Sequence, residues 1–392
     1  MDLLKHIQTY IKQHEDEFIQ IREYLHAHPE VSWQEYETSK YIKQKLDEWG
    51  VPYTEMAGTG VVADLVGNPD GKRVAYRGDI DALPMEDEKK CEYKSQNSGV
   101  CHSCGHDFHT ATVLATLKTL LPIKDALNGT IRFIFQPAEE VTPGGARKMV
   151  SEGVLKGISE IVAMHSEPAL PLGDIGVVRG WVTTQSVTYK IHLKGKGGHS
   201  ARPYIAKDPI FAGTLITQQL YAALERKNRY DQFFVFSMTT FHSGTVANII
   251  PDEAILQGSL RLTDPHRLDE IKSYIDDVIR SQCKLLEIDV EIEHIIGDPP
   301  VINDTELAER VHTHLVPIFG EPHIFKDTRT MGGEDFSNYQ KHIPGCYIRF
   351  GIGQGQPSEY SLHSPKFDID KGCVPKATEM FSWLLIQLLN DD

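Results

Sequence analysis

The stretch TIRFIF, residues 130–135, is a run of β-branched and aromatic residues that is typical of a buried strand. A short helical pattern follows at 146–152 and ends at Gly153, and a second strand pattern follows at 160–164. Strands that alternate with helices are typical of an α/β fold. We therefore expect a mixed, mostly parallel sheet that is covered by helices on both faces.

The same alternation continues outward from this stretch in both directions. On the N-terminal side we predict helices within 1–48, strands at 60–66 and 73–77, and a helix at 112–121. On the C-terminal side the pattern resumes late in the chain, with predicted helices at 307–318 and 375–389 and a strand at 346–350. The two ends of the chain are therefore expected to build one domain.

The middle of the chain has a different pattern. The predicted elements there are a strand, a helix, two strands, a helix and a strand, at 187–193, 209–224, 233–241, 254–262, 268–286 and 288–295. This βαββαβ order is that of a ferredoxin-like unit. We expect residues 184–297 to be an inserted domain, and residues 1–183 and 298–392 to form the larger, catalytic domain.

Composition excludes several classes of function. Hydrophobic residues make up 40% of the chain and charged residues 24%, as in an ordinary globular protein. The formal charge of −15 argues against nucleic acid or an anionic membrane as the main partner, since both would be repelled. No apolar run resembles a membrane span or a signal peptide, so a cytoplasmic enzyme with a small-molecule substrate is expected.

The densest group of chemically active residues is CHSCGHDFH, residues 101–109, between a loop and a helix that we expect to start near Thr110. Cysteine and histidine are ligands for zinc, manganese and related ions. Spacing alone leaves three interpretations open. They are a structural zinc site on Cys101 and Cys104, core or loop residues whose hydrogen bonds are made within the protein, and a catalytic metal site. No second cysteine or histidine pair with zinc-finger spacing follows.

Other polar residues follow predicted strands at the point where each strand ends. Glu139 and Glu140 come after 130–135, His165 comes directly after 160–164, Asp79 ends an earlier strand, and His363 follows 346–350 by a loop. Ligands of α/β proteins bind at the carboxyl ends of strands. Of two adjacent carboxylates, one can bind a metal while the other takes a proton from metal-activated water. This convergence favours a metal-assisted hydrolase of amides.

The chain resembles a known family, the amidohydrolase branch of the co-catalytic metallo-aminopeptidase and carboxypeptidase-like enzymes. That branch contains hippurate hydrolases, N-acyl-amino-acid deacylases and plant auxin-conjugate hydrolases. The motifs that carry the resemblance span nearly the whole chain: LHAHPE (25–30), RGDIDALP (77–84), CGHD (104–107), QPAEE (136–140), GGA (144–146), MH (164–165), GHSA (198–201), NIIP (248–251), GGEDFS (332–337) and HSP (363–365).

The resemblance implies a centre of two divalent ions, which in the family are zinc, manganese, nickel or cobalt. Cys104 would bridge the two ions, His106 and His165 would complete the ligands of one, and Glu140 and His363 those of the other. Two further residues would act on these ligands and on the water: Glu139 as the general base and acid, and Asp79 as the carboxylate that orients a histidine ligand.

The resemblance also assigns roles within the inserted domain, which would serve as a lid and dimerisation domain of a homodimer or higher oligomer. His199 would stabilise the developing oxyanion, for its own subunit or for the partner in a dimer. Asn248 and Arg261 would bind the carboxylate of the substrate. The implied reaction is hydrolysis of N-acyl-L-amino acids to a carboxylic acid and a free amino acid.

Three alternatives stay open at this stage. The first is a dipeptidase or aminopeptidase of the same fold, and the second is a narrower deacylase that acts on N-acetyl-diaminopimelate. The third is a binding protein that has kept the fold and lost catalysis. Intact Glu139, Glu140 and the other ligand positions argue against the third alternative.

Overall fold

The computed structural model describes residues 2–353 and 360–391. The chain forms two compact units. The first unit comprises residues 1–182, 301–329 and 334–392, and the second comprises residues 183–300 together with the four residues 330–333. The boundaries of the long second segment lie within three residues of those expected, but sequence patterns did not indicate the separate short segment.

The described residues form the following helices and strands. The helices are α1 (Leu3–Ala27), α2 (Tyr36–Glu48), α3 (His106–Leu120), α4 (Gly145–Ser151), α5 (Pro209–Glu225), α6 (Leu268–Leu285), α7 (Thr305–Phe319), α8 (Ser337–Gln340) and α9 (Cys373–Asn390). The strands are β1 (Tyr53–Met56), β2 (Gly60–Val66), β3 (Lys72–Asp79), β4 (Gly129–Gln136), β5 (Glu160–Pro171), β6 (Ile175–Gly176), β7 (Gly180–Trp181), β8 (Gln185–Lys194), β9 (Gly198–His199), β10 (Phe234–Ser243), β11 (Ile249–Ile250), β12 (Glu253–Leu262), β13 (Asp289–Ile296), β14 (Ile302–Asn303), β15 (Ile324–Phe325) and β16 (Gly345–Gly353). Among the helices of residues 2–353 and 360–391, none has the length and apolarity that crossing a bilayer requires.

The first unit is built on an eight-stranded sheet in the order β1-β2-β4-β3-β5-β16-β6-β15. The central strands β4, β3, β5 and β16 run parallel to one another, while β1 and β2 pair antiparallel with their neighbours. Strand β6 pairs antiparallel with β16 and parallel with β15. The predicted mixed, mostly parallel sheet is therefore confirmed.

Helices cover both faces of this sheet. On β4, Phe133 and Phe135 join a core with helices α1, α3 and α9, whereas Ile134 between them points to a second core that contains Met149 of α4. Alternate residues of a strand point to opposite faces, so burial of every position in turn requires cover on both sides. This explains why TIRFIF has a nearly continuous apolar pattern.

The second unit has an antiparallel four-stranded sheet in the order β10-β12-β8-β13. Its main elements follow one another as β8, α5, β10, β12, α6 and β13, with the short pair β9 and β11 inserted between them. Strand β8 buries alternate side chains, from Val187 to Leu193, against apolar residues of α5 and α6. One sheet face is thus covered by the two helices.

The short segment 330–333 is held in the second unit by hydrogen bonds. The backbone N–H of Thr184 donates to the carbonyl oxygen of Gly332 (2.9 Å), and the Thr184 hydroxyl donates to that of Met331 (2.8 Å). Nη1 of Arg261 also donates to the Met331 carbonyl oxygen (3.4 Å). The GGEDFS motif is therefore divided, because its first two residues belong to one unit and the rest to the other.

Two expected element boundaries are wrong, and both lie near the candidate site. Helix α3 begins at His106, four residues before Thr110, because Gly105 takes a left-handed conformation (φ 89°) that turns the chain into the helix. A Cβ atom on Gly105 would lie 2.6 Å from the Ser166 hydroxyl oxygen. Strand β5 does not end at His165 but continues to Pro171, paired with β16.

Candidate metal centre

The predicted site residues of the first unit meet at one edge of its sheet. Asp79 is the last residue of β3 and pairs with Gln136, the last residue of β4. Glu139 and Glu140 follow β4 after two residues, and His165 lies on β5, the other neighbour of β3. Parallel strands bring their carboxyl ends to the same edge, which is where these side chains converge.

Five predicted ligands form two overlapping groups that share the Cys104 thiol. The ligand atoms of Cys104, His106 and His165 all lie within 4.8 Å of one another. The same holds for Cys104, Glu140 and His363, and Glu140 Oε1 lies 3.4 Å from His363 Nε2. One thiol thus lies between two sets of donors, a geometry that can hold two ions on a shared sulfur.

The donor atoms of this centre fit divalent ions. His106 Nε2 and Glu140 Oε1 are buried and have no hydrogen-bond partner, although buried polar atoms are normally satisfied. They lie 3.8 Å apart. Sulfur, imidazole nitrogen and carboxylate oxygen together suit zinc and other first-row divalent ions and do not select one of them.

Hydrogen bonds to backbone carbonyls orient both buried histidines. Nδ1 of His106 donates to the carbonyl oxygen of Asp81 (2.9 Å), and Nδ1 of His165 donates to that of Ser166 (2.8 Å). In a neutral ring each Nε2 then keeps its lone pair. His165 Nε2 lies 3.3 Å from the Cys104 sulfur. Both rings therefore present a ligand atom to the space around the thiol.

Asp79 is expected to orient a histidine ligand, and the histidine nearest to its carboxylate is one outside the predicted set. Asp79 Oδ1 accepts from Nδ1 of His109 (2.6 Å) and lies 3.8 Å from Nε2 of His106. The carboxylate beside Nδ1 of His106 is Asp81 instead (3.2 Å).

The site concentrates negative charge around its unpaired atoms. Burial raises the pKa of Glu139 well above its ordinary value, and the carboxylates of Glu334 and Glu140 raise it further. Burial disfavours a charged His106 ring, yet the Asp79 carboxylate raises the pKa of His106 well above its usual range. Both shifts describe a place where positive charge is favoured, as a bound cation would supply.

The remaining buried ligands respond to burial in ways that suit metal binding. Burial, helped by the nearby Arg349, lowers the pKa of His165 well below its ordinary value, so this ring is neutral. Burial and the Glu140 carboxylate raise the pKa of the Cys104 thiol. A thiolate at this position thus requires a bound cation, because metal binding and loss of the thiol proton are coupled.

Two hydrogen bonds fix the backbone around Glu139 and Glu140. Ala138 takes a left-handed conformation (φ 51°), which is costly for a residue with a side chain. Its N–H donates to Oε1 of the buried Glu35 (2.8 Å), and the N–H of Glu140 donates to Oδ2 of Asp81 (3.0 Å). These bonds hold the two adjacent carboxylates in place after the strand.

A buried arginine lies beneath this edge of the sheet. Arg77 donates from Nε to Gln136 (2.8 Å), from Nη1 to Asp79 (2.6 Å), and from Nη2 to both Glu334 and Asp335 (3.0 Å each). These hydrogen bonds join residues from β3 and β4 to the GGEDFS motif, which lies more than 250 positions later in the chain. This hydrogen-bond network holds the Asp79 carboxylate in position.

The three predicted substrate-contacting residues belong to the second unit. His199 on β9 pairs with Ile249 on β11, and the neighbouring N–H of Ser200 donates to the carbonyl oxygen of Asn248 (3.1 Å). Nδ1 of His199 accepts from the N–H of Ala201 (3.0 Å), so a neutral ring carries its proton on Nε2. The exposed His199 and Asn248 are therefore neighbours.

Arg261 is not part of this two-stranded element. It lies half-buried on β12, within the four-stranded sheet, and its described hydrogen bond goes to the Met331 carbonyl oxygen.

Three residues outside the predicted set support it, and of these the sequence analysis missed Asp81 and Glu35. Asp81, His109 and Glu35 are buried, and they contact His106, Asp79 and the backbone before Glu139. The first two lie inside motifs that carry the resemblance or directly beside them. A buried polar residue next to a ligand is a candidate for orienting it, and this signal was available.

Comparisons with known proteins identify the family of this chain. The sequence profile of peptidase family M20/M25/M40 matches residues 75–387. Thermostable carboxypeptidase 2 of Saccharolobus solfataricus is 35% identical over 395 residues, with 100% of both chains covered. N-acetylcysteine deacetylase of Bacillus subtilis is also 35% identical, and the match covers 95% of this chain and 96% of that one.

A solved structure extends the similarity to three dimensions. The YXEP protein of Bacillus subtilis, described as a dinuclear metal binding peptidase from the M20 family, superposes with a TM-score of 0.83 at 32% identity. The match covers 97% of this chain and 99% of that chain. With the profile match and the full-length relatives, it shows that the chain belongs to peptidase family M20/M25/M40, as a metal-dependent amidohydrolase with two divalent ions.

Proposed function

We propose that this enzyme hydrolyses the amide bond of N-acyl-L-amino acids and releases a carboxylic acid and a free amino acid. The observation that carries the proposal is the pair of donor groups that share the Cys104 thiol beside Glu139. A 35% identical relative named N-acetylcysteine deacetylase supports the substrate class.

Five side chains would hold the ions. Cys104 would bridge them, with His106 and His165 on one ion and Glu140 and His363 on the other. Zinc, manganese, nickel and cobalt all suit these donors. When bound, such ions polarise the carbonyl of an amide and lower the pKa of water.

Glu139 is the residue proposed to move protons. Its ligand atoms lie within 4.8 Å of those of His106 and Glu140, so it faces the same space as the metal donors. As general base it takes a proton from the attacking water, and as general acid it delivers that proton to the nitrogen of the leaving amine. The raised pKa of its carboxyl group suits a residue that must do both.

The second unit is proposed to act as a lid that contacts the substrate. His199 presents an Nε2–H donor, which would stabilise the negative charge that develops on the carbonyl oxygen during attack. Asn248 and Arg261 would bind the carboxylate of the amino-acid part, the arginine through its planar guanidinium. A substrate without that carboxylate should therefore react poorly.

The second unit also has the features of a dimerisation surface. Strand β10 lies at one edge of its sheet, and an edge strand offers unpaired backbone groups. Val235 and Phe241 of β10 are exposed, as are Ile210, Phe211 and Tyr221 of the neighbouring α5. We propose that a homodimer or higher oligomer covers these residues.

A second candidate function is supported by one comparison. The relative named thermostable carboxypeptidase 2 matches the whole chain at 35% identity, which favours a peptidase that removes a C-terminal residue. The chemistry and the metal donors would be the same, and only the acyl part would differ. The two enzyme alternatives from the sequence analysis, a dipeptidase or aminopeptidase and an N-acetyl-diaminopimelate deacetylase, are tested by the same assay.

The deciding experiment is a substrate panel run against a panel of metals. The protein is stripped with a chelator, reloaded separately with each of the four ions, and given N-acetyl and N-benzoyl amino acids, dipeptides, blocked peptides and N-acetyl-diaminopimelate. We expect release of free amino acid from the N-acyl amino acids, loss of activity on chelation, and little turnover of N-acyl amino-acid amides. Faster turnover of blocked peptides would favour the carboxypeptidase, and activity that resists chelation would contradict the metal centre.

A further inference from the structure

His109 is the third histidine of the stretch CHSCGHDFH, and it is fully enclosed between two partners. Its Nδ1 lies 2.6 Å from Asp79 Oδ1, and its Nε2 lies 3.0 Å from the backbone nitrogen of Ser166. Its side chain is 1% exposed. Both ring nitrogens are thus hydrogen-bonded, one to the end of β3 and one to β5.

These contacts exclude His109 as a metal ligand, although its ring lies near the ligand atom of His106. A backbone N–H can only donate, so Nε2 of His109 accepts from Ser166 and uses its lone pair there. Nδ1 then carries the proton and donates to the Asp79 carboxylate. A ring in this tautomer has no lone pair left for an ion.

Ser166, the residue that His109 holds, contacts two of the proposed ligands. Its carbonyl oxygen accepts from Nδ1 of His165 (2.8 Å), which leaves Nε2 of His165 free for an ion. Its hydroxyl donates to the carbonyl oxygen of Cys104 (3.0 Å). A shift of the Ser166 peptide would therefore misalign the His165 ring and the backbone of Cys104 together.

We propose that His109 is a positioning residue that passes the fixed orientation of Asp79 to the Ser166 peptide, and thereby sets the affinity of the Cys104–His106–His165 group for its ion. This inference rests on the proposed metal centre. It further assigns selectivity. Both groups share Cys104, but His165, whose ring the Ser166 carbonyl orients, belongs to this group alone, and His109 makes no described hydrogen bond to Glu140 or His363. Loss of His109 should weaken one ion far more than the other.

Two substitutions separate the two hydrogen bonds. His109→Asn keeps an amide donor near the position of Nδ1 for Asp79 but has nothing that reaches the Ser166 N–H. His109→Gln keeps an amide oxygen near the position of Nε2 as an acceptor for Ser166. His314→Asn is the matched control, since His314 is also bound to a carboxylate, that of Asp391 (2.9 Å), within the same unit.

The measurement is the Co²⁺ affinity of each group by itself, followed by the absorption of thiolate-bound cobalt. His363→Ala isolates the Cys104–His106–His165 group, and His165→Ala isolates the other. We expect His109→Asn to weaken Co²⁺ binding about 10- to 100-fold in the first background, as loss of a residue that supports a ligand typically does, and clearly less in the second, which shares only Cys104 with it. His109→Gln should restore much of the affinity, and His314→Asn should change neither.

Several outcomes would overturn the proposal. The proposal is rejected if His109→Asn leaves the Co²⁺ affinity unchanged in the His363→Ala background. It is also rejected if His109→Asn weakens Co²⁺ binding equally in both backgrounds. Equal loss in the asparagine and glutamine variants rejects the role of the Ser166 hydrogen bond. If both backgrounds and the unmodified protein bind no Co²⁺, the metal centre itself is wrong, which the unmodified protein reveals separately. Should the asparagine variant lose its circular dichroism, the glutamine variant still tests the proposal. A large loss of Co²⁺ affinity in that variant would reject the role of the Ser166 hydrogen bond.

Discussion

Nη1 of Arg77 lies 2.6 Å from Oδ2 of Asp79, and neither side chain is exposed to solvent. The same guanidinium also binds Glu334 and Asp335, so one buried cation stands among three carboxylates. Burial by itself raises the pKa of Asp79, but His106, Arg77 and His109 lower that pKa well below its usual range. Asp79 therefore stays ionised as the acceptor for His109.

Removal of the Arg77 charge should destabilise the fold strongly. Arg77→Met leaves buried carboxylates without their cation, and we expect the free energy of unfolding to fall by about 3–5 kcal/mol. Urea denaturation measures it. The control is Arg73→Met on the same strand, where the pair with Asp64 is about a third exposed and a loss of about 1 kcal/mol or less is expected. Equal losses for the two variants would contradict the network's importance.

Replacement of the proposed base should separate catalysis from metal binding. Glu139→Gln keeps the size of the side chain but cannot take a proton, so kcat should fall about 10²- to 10⁴-fold. Metal content, measured by mass spectrometry of the purified protein, should stay at two ions per chain. Glu37→Gln, at an exposed position of α2, is the control. Unchanged kcat in the metal-loaded Glu139 variant would show that another group is the base.

Stability should depend on pH through His26. Burial opposes protonation of this ring, but hydrogen bonds to Asp107 (2.7 Å) and Asp87 (3.3 Å) raise the pKa of His26 to about 9. Because the folded pKa exceeds the unfolded value of about 6.5, this stabilisation is complete below pH 6.5 and is lost as the pH rises through 9. The shift corresponds to on the order of 3 kcal/mol.

The test compares the unfolding free energies of the unmodified protein and His26→Asn between pH 6 and pH 10. The difference between the two proteins should shrink as the pH rises, and His28→Asn, two residues away, is the control for a histidine substitution in this segment. A difference for His26→Asn that stays constant or grows with pH would show that His26 is neutral in the fold.

The proposed oxyanion donor should affect kcat with the ions in place. His199→Ala removes the Nε2–H donor, and loss of such a donor typically lowers kcat about 10²- to 10³-fold. Metal content and the folded state should not change, because the ring is exposed and its described hydrogen bond is local. His266→Ala, at another exposed histidine of the second unit, is the control. An effect on KM alone would indicate a binding role instead.

Local sequence patterns predict two kinds of feature in this molecule. These are the helices and strands that hydrophobic periodicity reveals, and the residues that follow the ends of strands. TIRFIF reads as a buried strand because both of its faces meet helices, and Glu139 with Glu140 follows it at the edge where ligands bind. The rule does not extend to Cys104, which lies in the loop before α3, or to His165, since β5 continues beyond it to Pro171. The division of donors into two groups came from the resemblance, and in the structure the ligand atoms of each group lie within 4.8 Å of one another.

Other features depend on contacts that no local pattern contains. Arg77 meets Glu334 across 257 positions, and only the folded sheet brings them together. The start of α3 was misplaced because Gly105 takes a left-handed conformation, which lets the helix include His106 in its first turn. Asp81 rather than Asp79 lies beside Nδ1 of His106, since the choice between two carboxylates in one motif depends on the direction of each side chain.

The four residues 330–333 make the second unit discontinuous in an unusual way. A fragment cut at 183 and 300 would look like a complete inserted cassette, but it would leave behind the carbonyl groups that Thr184 and Arg261 bind. If this unit were transferred to a homologous enzyme, the recipient would therefore have to supply a segment equivalent to residues 330–333. Exchange of this unit between relatives is thus constrained by four residues that lie outside the inserted segment and follow it in the chain.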